Sequence, residues 1–240
     1  MSRASVVALL TLVPALAAGA PTGLNQIPTT DLVPPGQVTL QLQNGNTEVE
    51  GRSSVWHQPQ LLGQSQFGLP WNLEAGLDLA PSDPPGEYRP VMNVKWTPLH
   101  EDYRIPAVAV GAAQLGVGFT PNYYLVLSKT LNYGQIQYQH FRAHHRNIKL
   151  RGIRVHTGIV YTGNAWRALV GTDIEVSDRF VIYADWISSA SNAVSVGGVF
   201  VISQHDSVQA SLLRANDQDR LSGVLIAVTH TFDLAHPLVW

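Results

Sequence analysis

From about residue 37 to its end, the chain alternates apolar with polar or small residues. Residues 221–232 (LSGVLIAVTHTF) place Val224, Ile226, Val228 and Phe232 on one side of an extended segment and Gly223, Ala227, Thr229 and Thr231 on the other. The same two-residue period recurs in 72–80, where Leu73, Ala75, Leu77 and Leu79 oppose Glu74, Gly76 and Asp78. In 166–176, Ala168, Val170, Ile174 and Val176 oppose Arg167, Gly171, Asp173 and Glu175; in 179–188, Phe180, Ile182, Ala184 and Trp186 oppose Arg179, Tyr183 and Asp185. In 134–143, Gln135, Gln137 and Gln139 oppose Ile136 and Tyr138. The pattern predicts strands at 37–43, 60–69, 72–80, 89–98, 107–116, 122–131, 134–143, 166–176, 179–188, 192–203, 206–214 and 221–232. The segment 107–116 is small and apolar on both sides and is the weakest of them.

The connections sharpen the picture. Tight turns at Pro70-Trp71, 131–133, Ser177-Asp178 and Gln204-His205, with the longer 99–106, fall on one side of the strand array. The connections 44–59, 81–88, 117–121, 144–165, 189–191 and 215–220 fall on the other, with 144–165 the longest. Short turns at one rim and long loops at the other are the habit of outer-membrane barrels, whose strand number is even and whose termini lie in the periplasm. The expected fold is therefore all-β: a single antiparallel up-and-down transmembrane β-barrel of about 12 strands over 37–240. Trp71, Trp96, Tyr123, Tyr133, Trp166 and Trp186 stand at or near strand ends, where interfacial girdles occur.

Composition agrees with alternation. Charged residues are only 13% of the chain, while the mean hydropathy is just +0.03, because apolar and polar positions cancel. A net charge of −2 gives no basic face for nucleic acid, and the absence of cysteine excludes disulfides and thiol chemistry. The N-terminus carries Arg3, an apolar run from Val6 to Ala18 and small-x-small sites at Ala15–Ala17 and Ala18–Ala20. Residues 1–20 thus read as a signal peptide cleaved near 17–20, and the proline-marked residues 21–36 as an extended periplasmic lead-in.

Under this register Glu74, Asp78, Lys95, Arg167, Asp173, Glu175, Arg179 and Asp185 point inward. They are the candidate lumen lining: either a charge-selective wall or a set of mutually neutralising groups. Arg142, Arg146, Lys149, Arg151 and Arg154 make the stretch 142–154 the most basic part of the chain. Carried on an outer loop, it would meet lipopolysaccharide or an acidic polysaccharide. His140, His144, His145 and His156 form the densest histidine group but lack a nearby acid to complete a metal shell, and read as exposed residues at a loop base. No metal, cofactor or catalytic residue is assigned. There is no G-x-S-x-G, H-E-x-x-H or P-loop, and Ser128 and His140 have no evident third partner for hydrolysis.

Four segments carry a resemblance: Ile27-Pro28-Thr29-Thr30-Asp31 with Pro34-Pro35-Gly36, Leu73–Asp78, Tyr124–Lys129 and Val181–Asp185. Together they resemble small Gram-negative outer-membrane β-barrel proteins, similar to those associated with exopolysaccharide secretion. Trp240 resembles the terminal aromatic of such barrels, although residues 234–239, with Pro237, separate it from the last strand. The resemblance implies an outer-membrane location in contact with lipid, and a channel or accessory barrel in envelope polysaccharide export. The competing readings are a soluble secreted all-β binding protein and an outer-membrane lipid hydrolase. Solute and oligomeric state are not encoded in any motif.

Overall fold

A computed structural model of the protein describes residues 23–24, 26–45, 61–81, 87–131, 152–189, 192–216 and 223–234. Twelve strands follow in order: β1 (Gln37–Gly45), β2 (Leu61–Leu69), β3 (Leu73–Pro81), β4 (Tyr88–Leu99), β5 (Ala107–Leu115), β6 (Asn122–Leu131), β7 (Ile153–Tyr161), β8 (Trp166–Ser177), β9 (Phe180–Ile187), β10 (Ala193–Val201), β11 (Asp206–Ala215) and β12 (Gly223–Asp233). Each pairs antiparallel with its sequence neighbours, and β1 pairs with β12 from Gln37↔Asp233 to Gly45↔Leu225. The sheet therefore closes on itself and leaves no edge strand.

Closure places the alternating side chains on two surfaces. Leu77, Val170, Ile182 and Val224 are 46%, 45%, 39% and 45% exposed and look outward, as do Leu40, Met92, Ile226 and Val228. A water-soluble fold would bury such residues together; here they form an external apolar belt. Trp71 and Trp96 stand outward near one end of that belt and Tyr123, Trp166 and Trp186 near the other. The opposite parity points inward and is largely buried, as in β4, where Val91, Asn93, Lys95 and Thr97 alternate with exposed Met92, Val94 and Trp96.

The seventh strand is a correction. The expected 134–143 lies outside the described residues, and the strand beside β6 is 153–161, inside the expected connection 144–165. Both segments alternate, so the local pattern could not choose between them. Pairing decides: Ser128↔His156 and Leu125↔Ile159 put inward against inward and outward against outward. The connection between β7 and β8 is then only 162–165. The longest connection, 132–152, joins strand ends at the rim shared by Gln37, Asp233 and the 70–72 turn, so the expected sorting of loop lengths does not hold there.

The second correction concerns residues 23–36. They do not run free as a lead-in but pass inside the barrel. Ile27 is fully buried against Ala109, Tyr124, Val126, Val160 and Leu169, with Leu24 packed beside it. Leu24 N donates to Ile27 O at 3.1 Å and a bridge joins Gly23 to Pro28, so the segment turns back within the lumen. It leaves over Gly68, whose carbonyl accepts Gly36 N at 3.1 Å. A side chain at Gly68 would stand 2.0 Å from Pro34 O, so the close approach depends on glycine.

Candidate functional site

The candidate site is the lumen, shaped by the inner wall and by the segment it encloses. Polar wall residues hold the segment along its length. Asp185 accepts two hydrogen bonds from Gln26, from the backbone N at 2.8 Å and from Nε2 at 3.1 Å, and a third from Ser195 Oγ. Glu74 Oε2 accepts Val33 N at 2.8 Å, and Thr97 Oγ1 donates to Thr30 O at 3.0 Å. Arg154 reaches Asp31 Oδ1 at 2.5 Å and Thr30 Oγ1 at 2.9 Å, with Glu101 Oε2 3.7 Å away. An extended segment without a sheet partner must have its backbone polar groups satisfied somewhere, and here inward carboxylates and hydroxyls do it. Burial works against the Asp31 carboxylate. The Arg154 hydrogen bond and charge, with the Thr29 hydroxyl and Lys95, outweigh that and hold its carboxyl below the usual range.

Of the eight charges expected inside, Glu74, Asp78, Lys95 and Asp185 are buried on the inner face. Glu74 and Lys95 pair at 3.4 Å, and Asp78 Oδ2 accepts from Asn93 Nδ2 at 2.6 Å and Gln64 Nε2 at 3.3 Å. Arg167 and Asp173 are half-buried at inward positions of β8, and Glu175 is inward but exposed near its end. Arg179 is not among them: it sits in the exposed turn between β8 and β9. Arg154, expected on an outer loop, is an inward residue of β7 engaged by Asp31. Arg142, Arg146, Lys149 and Arg151 lie outside the described residues, as do His140, His144 and His145.

His156 is fully buried rather than exposed at a loop base. Its Nδ1 lies 2.7 Å from Ser128 Oγ and its Nε2 lies 2.7 Å from Asp173 Oδ2. A carboxylate can only accept, which puts a proton on Nε2 and leaves Nδ1 to accept from the Ser128 hydroxyl in the neutral ring. Ser128 thus has the histidine and acid that sequence reading did not find. The order of groups is that of a hydrolytic triad, but Ser128 is also fully buried and its Oγ accepts Thr30 N at 3.3 Å. With the enclosed segment over it, no substrate carbonyl reaches that oxygen. The three residues clamp β6, β7 and β8 together and hold Thr30 against them.

The barrel is similar in fold to those of solved porins. It is similar to the "KdgM porin in complex with disordered oligogalacturonate", with a TM-score of 0.51 and 8% identity over 82% of this chain and 99% of that one. A second structure, "KdgM porin", gives 0.51 and 7% over 81% and 99%. At that identity the likeness speaks for the fold. No protein-family model and no curated protein matches the chain.

Set beside that fold, two features of this lumen define its chemistry. Among the described residues, inward acids Glu74, Asp78, Asp173, Glu175 and Asp185, with Asp31 of the segment, outnumber inward bases Arg89, Lys95, Arg154 and Arg167. The charges also cluster on the wall from β3 to β9, where the segment binds, while β1 and β2 present Thr39, Gln41, Gln43, Gln64 and Gln66 inward. Those amides have a period-two signature in the sequence, Gln-x-Gln in both strands, that a search for charges passes over. Cavities beside the segment include one of about 380 Å³ at the rim near Asp31, His100 and Glu101, and one of about 350 Å³ within the lumen. Among the described residues no group of three His, Cys, Asp or Glu is placed to hold a metal.

Proposed function

We propose that the protein is an outer-membrane β-barrel forming a narrow passage, partly filled by its own residues 23–36, that admits cations and uncharged solutes in preference to anions. The observation that carries this reading is the pairing of a continuous outward apolar belt with a polar, cavity-containing interior in one closed barrel. Such a surface is at home only in lipid, where closure satisfies every strand amide. The excess of inward acids among the described residues supports the sign of the preference, since a lumen of low dielectric focuses the field of its fixed charges.

The passage is oriented with the rim of Gln37 and Asp233 toward the periplasm, after cleavage of residues 1–20 on export. The sequence resemblance to exopolysaccharide-associated barrels supports envelope glycan traffic as its setting. The loop contact with a polyanion expected of Arg142, Arg146, Lys149 and Arg151 falls on residues outside those described. A hydrolytic reading is favoured by the Ser128–His156–Asp173 contact alone, and the burial of Ser128 argues against it. Purified full-length protein in planar bilayers should give discrete conductance steps, with a reversal potential in a KCl gradient that marks cation preference. A persistently silent membrane removes the channel; an anion-selective one removes the proposed sign.

A further inference from the structure

The inner cavity has a composition that the charged wall does not share. Gln41, Gln43, Gln66 and Gln209 line it with Thr39 and Thr229, and the enclosed segment forms its opposite side. At about 350 Å³ it lies at the lower end of the range of small-molecule sites. The two carboxylates at its border are both engaged, Asp173 by His156 and Asp31 by Arg154. Besides these two carboxylates, what faces the space is a set of neutral groups, each amide offering both donors and an acceptor on its side chain. Gln43 is only 3% exposed, and among the described residues its Nε2 has no hydrogen-bond partner. A buried amide donor left unmade costs free energy that a ligand hydroxyl recovers. Apolar surface from Leu24, Val181 and Val199 gives the cavity the mixed character of a site for a ligand with both C–H and O–H faces.

We infer that this cavity is a binding subsite for an uncharged, hydroxyl-rich ligand, a neutral saccharide unit, within the passage proposed above. An anionic sugar is disfavoured there for two reasons. Arg154, an inward base at the cavity's acidic border, is taken up by Asp31, and among the described residues the lumen carries more acids than bases. A neutral sugar needs no counter-charge, and its hydroxyls exchange water for amide partners at little desolvation cost.

The inference rests on reading the lumen as a passage, and the test separates the two. Full-length protein refolded in an amine-oxide detergent, with heat-modifiable gel migration as the check of folding, is titrated calorimetrically with maltotriose and with trigalacturonate at neutral pH. Maltotriose should bind at least tenfold more tightly than trigalacturonate. Gln43→Leu should weaken it about tenfold, the size of one buried hydrogen bond. Gln41→Glu should leave the barrel folded and widen the gap between the two sugars. Equal or tighter binding of trigalacturonate, no heat with maltotriose, or an unchanged affinity in a folded Gln43→Leu overturns the inference. Bilayer steps without maltotriose binding remove the subsite and leave the channel; maltotriose binding in a protein that never conducts removes the channel and leaves the subsite.

Discussion

Glu74 and Lys95 stand directly opposite one another on β3 and β4, 3.4 Å apart and almost completely buried, and the same glutamate accepts the backbone N–H of Val33. One carboxylate thus neutralises a wall cation and anchors the enclosed segment at once. Removing one member of a buried ion pair leaves the other uncompensated, at a cost of about 3–5 kcal/mol. Lys95→Met should lower barrel stability by that order in urea unfolding followed by tryptophan fluorescence in micelles. Adding Glu74→Gln, which keeps an acceptor for Val33 N, should restore most of it; no recovery would mean that the pair is not the source of the loss.

Asp31 gives the segment an acid-sensitive tie. Its carboxyl is held below the usual value of 3.8, so its contribution is fully present above that value and is lost as pH falls through the lower, folded-state value. Limited proteolysis of the intact barrel should therefore show residues near 31 becoming cleavable only in acid below the usual carboxylate value of 3.8. Asp31→Asn should make them cleavable at neutral pH and abolish the acid step. An acid step unchanged in Asp31→Asn would assign it to another group.

His156 links three strands through Ser128 and Asp173. His156→Ala should cost about 1–3 kcal/mol, the penalty for buried polar groups that lose their partner. Because Ser128 Oγ is sealed beneath Thr30, the full-length protein should cleave short nitrophenyl esters no faster than Ser128→Ala. A rate that disappears in Ser128→Ala would make the cluster a catalytic one.

The segment narrows the lumen, so its removal has a direct electrical readout. A variant lacking residues 23–34 should refold, since the twelve strands and their pairing do not include it, and should show a larger unitary conductance. An unchanged step size would mean that the segment does not lie in the conducting path.

Gly68 tests the way out of the barrel. Gly68→Ala forces a methyl into the Pro34 and Val33 carbonyls and should destabilise by about 1–3 kcal/mol, as overpacking does, with earlier proteolysis of the segment. Gly63→Ala meets nothing within 4 Å and should be neutral. Equal stability of the two variants in urea would show that the segment yields at no cost.

The sequence by itself determined the barrel. Period-two alternation in segments such as 72–80 and 221–232 specifies which side chains share a face, and a closed sheet is what allows apolar faces to look outward without exposed strand edges. It also assigned Glu74, Asp78, Lys95 and Asp185 to the polar parity, because parity is a local property. Tertiary structure alone decided the rest. Whether 134–143 or 153–161 pairs with β6 depends on a partner strand, not on either segment's own pattern. The proline-marked residues before β1 carry no period, and only wall groups as distant in sequence as Asp185 fix them inside. His156, Ser128 and Asp173 lie on three different strands, so no spacing along the chain announces them; closing the cylinder brings them within hydrogen-bonding distance.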